Sequence, residues 1–142
     1  VGYRFEAGGR RIVVSGDTRS SASLVRAAKG ADLLVHEALS PRLTRILGET
    51  AKANGATNLA KIMSDIETYH ASPADVAREA KSAGVRAVAL THLVPPPRIR
   101  LMEGLFLGDA AKAFGGPFWM MRDGDLVTIG PDGAITRDRL LR

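Results

Sequence analysis

Cysteine is absent from the 142 residues, which excludes disulfides and thiolate metal sites and leaves the redox compartment open. Aromatic residues make up only 5%, too few to build a platform on which nucleic-acid bases stack. No apolar run approaches the roughly 20 residues of a membrane-spanning helix, and nothing near Val1 resembles a signal peptide. The compartment stays unknown, with the cytoplasm favoured, and no membrane partner is expected. Histidine is rare as well: His36, His70 and His92 are the three in the chain. There is no His-x-x-x-His pair, no glycine-rich phosphate loop and no nucleophile elbow, so spacing alone reaches no specific reaction.

What is present fits one globular domain, with 45% hydrophobic and 25% charged residues. The net charge of +5 invites a nucleic-acid-binding reading. The basic residues are scattered, however, with Arg10 and Arg11 in one place, Arg98 and Arg100 in another and Arg137, Arg139 and Arg142 at the tail. They read as a solvated basic surface, and nucleic acid is a weakly supported partner.

Two short apolar or alternating runs between Tyr3 and Ser15 flank Gly8-Gly9 and read as a hairpin. Helical spacing from Ser20 to Lys29 stops at Gly30. Leu33-Leu34-Val35 reads as a short buried strand running into His36-Glu37-Ala38. Pro41 to about Asn54 and Asn58 to Ile66 are helical in pattern. Ser72 and Pro73 open a further helix that ends at Gly84. Val85 to Leu90 is a second buried strand, leading to Thr91-His92-Leu93. Pro95-Pro96-Pro97 forces an extended segment. Met102 to Phe114 is expected as one helix, and two or three strands follow, turning at Asp123-Gly124 and Asp132-Gly133. Strands alternating with helices predict an α/β fold.

Three predicted strands deliver Asp17, His36-Glu37 and His92 at or just past their C-terminal ends, the edge of an open α/β sheet where ligands sit. Asp17, between Gly16 and Thr18, has two readings. It can form an Asx-turn or N-cap for the next helix, or be a carboxylate held at a strand end to bridge two cations. His92 can be a half-buried hydrogen-bonded residue, or a metal ligand oriented through its second nitrogen. Glu37 and His70 are read together, because a carboxylate beside an imidazole orients it and favours its protonated form, as a general acid needs. Ser72 reads as a helix N-cap.

Four motifs in order resemble one family. Gly16-Asp17-Thr18, Leu34-Val35-His36-Glu37-Ala38, Tyr69-His70-Ala71-Ser72-Pro73 and Leu90-Thr91-His92-Leu93 are similar to stretches of the ribonuclease Z-like metallo-β-lactamase-fold hydrolases. The resemblance runs from Tyr3 to about Gly130. His36-Glu37-Ala38-Leu39 resembles the family's His-Glu-Ala-Thr loop and His70-Ala71-Ser72 its His-Ser-Thr loop. Val94-Pro95-Pro96 resembles the arylsulfatase-like members, whereas tRNA-processing members carry Ser-x-Arg-Tyr after the last His. Residue 39 is Leu and not Thr. The resemblance thus implies the hydrolase without implying tRNA processing.

It implies a metal-dependent hydrolase of phosphodiester or other ester bonds, with a hydroxide bridging two divalent ions, zinc foremost, as nucleophile. Asp17 would bridge the ions, His92 would be a terminal ligand, His70 would protonate the leaving group and Glu37 would orient His70. The family's His-x-His-x-Asp-His motif has no counterpart in residues 1–142. The expected architecture is therefore the C-terminal half of a four-layer αβ/βα sandwich, with the N-terminal half absent. The strands read as apolar on both faces while the helices can cover one. A missing half or a second copy of the chain should cover the other face, and the chain alone should be inactive. The alternative is a non-catalytic fragment or paralogue that keeps the fold and binds a partner.

Overall fold

The structure, a computed structural model, describes residues 1–140. Five strands form one sheet in the order β1-β2-β3-β4-β5. β1 (Tyr3–Ala7) and β2 (Arg10–Val14) are the expected antiparallel hairpin. From β2 the sheet is parallel through β3 (Leu33–Leu39), β4 (Ala87–Val94) and β5 (Phe118–Met120). The intervening helices are α1 (Ala22–Ala27), α2 (Pro41–Ala53), α3 (Thr57–Asp65), α4 (Pro73–Ala83), α5 (Arg100–Leu107) and α6 (Ala110–Phe114). A separate antiparallel hairpin, β6 (Asp125–Ile129) and β7 (Ile135–Arg139), closes the described chain.

The period of two along each strand sorts the core. Val13, Leu34, Val88 and Phe118 stand side by side across the sheet. They face Leu24 of α1, Val76 and Ala80 of α4, Phe106 of α5 and Ala110 of α6 in one buried cluster. Fully burying a side chain such as Leu34 or Val88 contributes about 1.5–3 kcal/mol. Leu33, Ala87 and Ala89 point to the opposite face, where Val127, Ile129 and Ile135 of the terminal hairpin meet them. The helices do cover one face only, and the second is partly covered by β6–β7. Ile12, Val35 and Trp119 on that face are only partly buried.

α1 is shorter at both ends than the expected Ser20–Lys29, and three further boundaries differ from the expectation. β3 continues to Leu39, so His36 and Glu37 lie inside a strand and not in a loop. β4 begins at Ala87 and runs to Val94, taking in Thr91 and His92, because the parallel ladder with β3 persists that far. The helix expected over Met102–Phe114 is two helices. Gly108 interrupts it at φ 53 and ψ −131, a conformation only glycine adopts readily.

Candidate active site

Asp17 sits in the loop between β2 and α1 and caps no helix: the N-cap of α1 is Ser21. Its Oδ1 instead lies 2.8 Å from His92 Nδ1, and both side chains are more than half exposed.

His92 reaches that loop because of a local irregularity. The β3–β4 register passes from Glu37↔Thr91 to Ala38↔Leu93, so His92 is the extra residue of a bulge. Its φ is 43°, the left-handed region that few non-glycine residues enter. Bulges re-aim side chains at sheet edges and sites, and this one turns the imidazole toward Asp17.

Glu37 occupies the deeper part of the site and is 2% exposed. Its Oε1 accepts from the Ala71 backbone N–H at 2.9 Å, and its own N–H donates to Ser15 Oγ at 3.2 Å. Its Oε2 lies 3.1 Å from His70 Nδ1. The approach is off the line of a hydrogen bond, which leaves both atoms buried without an aligned partner among the described residues.

His70 stands between a 3₁₀ turn, Ile66–Thr68, and α4. Ser72 fixes where α4 starts: its side chain accepts from Asp75 N, and the Asp75 carboxylate accepts from the Ser72 N–H in return. Burial of Asp75 works against its charge. The hydrogen bonds from Ser72 and the ion pair with Arg78 outweigh that and hold its carboxyl below the usual range. The His70 ring is 5.0 Å from Tyr69 and 5.7 Å from His92, centroid to centroid.

Asp17, His92, His70 and Glu37 therefore form one continuous array at the C-terminal edge of the parallel strands. His36 does not join it. Alternation along β3 turns it into the helix layer, where it is fully buried beside Glu79. Sequence reasoning missed Ser15, which ties β2 to Glu37, and Glu79. Neither stands out in the sequence: α4 also carries Asp75, Arg78 and Lys81, and Ser15 follows a strand that opens on Arg10-Arg11.

The donor set suits a borderline divalent cation such as zinc, being imidazole nitrogen and carboxylate oxygen without thiolate. Ligand-type atoms of Glu37, His70 and His92 all lie within 4.8 Å of one another. Asp17 joins them through His92. The residues present fit a metal site, with Asp17 and His92 on its open side and Glu37 and His70 behind.

No family model matches the sequence. Relatives do. Ribonuclease Z of Myxococcus xanthus (strain DK1622) is 37% identical over 121 residues, covering 85% of this chain and 33% of the relative. Ribonuclease Z of Pseudomonas putida (strain W619) is 33% identical over 132 residues, covering 90% of this chain and 36% of the relative. Among solved structures, the metallo-beta-lactamase fold protein YhfI of Bacillus subtilis superposes with a TM-score of 0.57 at 20% identity. That match covers 95% of this chain and 43% of the other.

The chain is a ribonuclease Z homologue with the metallo-β-lactamase fold.

This ribonuclease Z homologue spans about a third of the length of the curated relatives it matches. Among its described residues no helix is long and apolar enough to cross a membrane.

Proposed function

We propose that this chain supplies part of the active site of a metal-dependent hydrolase that cleaves phosphodiester or other ester bonds. The observation that carries the reading is the unbroken array Asp17–His92–His70–Glu37 on one sheet edge. When bound, two divalent ions, zinc by the donor set, supply Lewis acidity and an acidified water as nucleophile.

The chain's own residues divide the remaining work by exposure. Asp17 and His92 are open to solvent and offer ligand atoms to the metal. Glu37 and His70 are buried and already face each other. One Glu37 oxygen is also taken by the Ala71 N–H. That pair serves proton transfer: His70 gives a proton to the leaving oxygen, and Glu37 fixes the ring and stabilises the imidazolium. With Nδ1 against Glu37, Nε2 is the nitrogen left for the substrate.

With Glu37 and His70 given to proton transfer, Asp17 and His92 remain as ligands, too few for two ions, since catalytic zinc sites keep three protein ligands each. The remaining ligands come from outside these residues. The partly buried Ile12, Val35 and Trp119 lie on the face against which that further part of the polypeptide, or a second copy, packs. Residues 1–142 alone are then inactive. Because the relatives are ribonucleases Z, an RNA phosphodiester is the first substrate to try.

Hydrolysis of bis(4-nitrophenyl) phosphate and of a short RNA by the full-length protein tests the reading. Activity should disappear on dialysis against a chelator and return with zinc. Activity indifferent to chelation contradicts it. A full-length protein that binds no metal and hydrolyses no ester points to the non-catalytic, partner-binding alternative.

A further inference from the structure

Glu79 and His36 form a buried polar cluster outside the four candidate site residues. Glu79, on α4, is 5% exposed, and His36, on β3, is fully buried. The other buried side chains of α4 are Pro73, Val76, Ala77, Ala80 and Ala83. An apolar residue at 79 would continue that face without the cost of desolvating a carboxylate.

The contacts of Glu79 lead toward the site in two directions. Its Oε1 accepts from Ser20 Oγ at 2.8 Å and from Ser21 N at 2.5 Å. These two residues end the loop that carries Asp17. Its Oε2 faces His36 Nε2 at 3.7 Å, too far for a hydrogen bond, and neither atom has a hydrogen-bond partner among the described residues; His36 Nδ1 lies 2.6 Å from the Glu37 carbonyl oxygen. The other end of the Asp17 loop is fixed separately, by Ser15 N donating to the Val35 carbonyl at 2.9 Å and Ser15 Oγ accepting from Glu37 N. One end of the loop is therefore hydrogen-bonded to β3 directly, and the other to Glu79 of α4, whose second oxygen faces His36 of β3 without bonding to it. Asp17 itself, more than half exposed, has His92 as its side-chain partner.

We infer that Glu79 is a positioning residue for the candidate metal site, setting where the Asp17 carboxylate stands relative to strand β3 by anchoring the far end of its loop. The inference rests on the reading of Asp17 as a metal ligand. Metal affinity depends on such outer contacts because a ligand held in place loses less freedom on binding, and removing one typically costs about 10–100-fold. The choice of residue follows. A carboxylate accepts from Ser20 and Ser21 together and still presents an oxygen to His36, which no apolar residue does. Glutamine keeps the hydrogen bonds that Glu79 makes: its amide oxygen accepts from Ser20 Oγ and Ser21 N, and its N–H₂ takes the place of the oxygen that faces His36 Nε2.

Zinc affinity of the full-length protein, measured by competition with a chromophoric chelator, tests this alongside thermal stability. Glu79→Ala should bind zinc about 10–100-fold more weakly, and Glu79→Gln should restore the wild-type affinity. A purely structural role would lower stability and leave the affinity of the folded protein unchanged. Folded Glu79→Ala with wild-type affinity, or Glu79→Gln as impaired as Glu79→Ala, overturns the inference. Should Glu79→Ala not fold, Ser20→Ala removes one loop bond while leaving α4 intact. A weakened affinity then supports the link and an unchanged one overturns it. Asp17→Ala separates the two levels. If it loses zinc while Glu79→Ala keeps it, the link alone is wrong. If it keeps zinc, both readings fall.

Discussion

Glu37 Oε2 and His70 Nδ1 stand 3.1 Å apart, on side chains that are nearly closed to solvent. The pair is assembled from distant sequence: Glu37 comes from the middle of β3, and His70 from the turn before α4. The Ala71 N–H holds the other Glu37 oxygen, so the carboxylate is fixed before any substrate arrives. His70→Ala in the full-length protein should therefore slow turnover by about 10²–10⁴-fold, the usual contribution of a general acid. Glu37→Gln should fall in the same direction by less, because the ring keeps a polar neighbour but not its counter-charge. Steady-state kinetics at saturating substrate checks both, and a His70→Ala enzyme with wild-type kcat would remove His70 from the chemistry.

His92 carries a second prediction, through its backbone. At φ 43° it tolerates replacement by Asn, a residue at ease in the left-handed region, but not by a β-branched one. His92→Asn should hold stability to within about 0.5 kcal/mol of wild type while weakening metal binding. His92→Val should lose metal and also cost about 1–2 kcal/mol of stability. Urea unfolding of the two variants distinguishes them. Equal stabilities would mean that the bulge relaxes and does not constrain the site.

Much of this was legible in the sequence, and what was not has physical reasons. Gly8-Gly9, Gly84 and the Ser72-Pro73 pair marked the β1–β2 turn and both ends of α4, because their chemistry is local. The candidate residues Asp17, Glu37, His70 and His92 could be named from four motifs, and the fold places them next to one another. The length of β3 could not be read, since a polar His36-Glu37 looks like a strand's end until the ladder with β4 is seen to continue. The bulge at His92 is likewise a property of two strands. Glu79 and Ser15 act through partners 58 or 59 and 22 residues away, separations at which sequence spacing carries no signal.

Ser72 provides a control beside the Glu37–His70 pair. Its side chain accepts from Asp75 N at the start of α4 and contacts none of the four site residues among its hydrogen bonds. Ser72→Ala should cost about 1 kcal/mol of stability, the usual loss of an N-cap, with kcat unchanged at a temperature where the variant is folded. Loss of turnover without loss of stability would give Ser72 a role in the chemistry.

Asp32 links the sheet to acid stability. The Arg11 backbone N–H, at 2.9 Å, holds its carboxyl below the usual range; burial opposes this, and the Arg86 guanidinium at 2.7 Å reinforces it. A folded-state value below the unfolded one stabilises the protein fully above the ordinary aspartate pKa of about 3.9. That contribution is lost as pH falls through the lower folded value. Asp32→Asn should thus be less stable than wild type at pH 7, with a gap that stays constant to about pH 5 and narrows below about pH 4. Urea midpoints across that range decide it, and a gap still constant at pH 3 would contradict the assignment.

The division of the site into metal-holding and proton-transferring residues is tested most directly by elemental analysis of the full-length wild-type, Asp17→Ala and His70→Ala proteins purified side by side. Wild type and His70→Ala should carry the same metal content, and Asp17→Ala should lose it, because Asp17 meets His92 at the open side of the site while His70 lies behind against Glu37. Metal that leaves with His70 and stays without Asp17 would contradict the account.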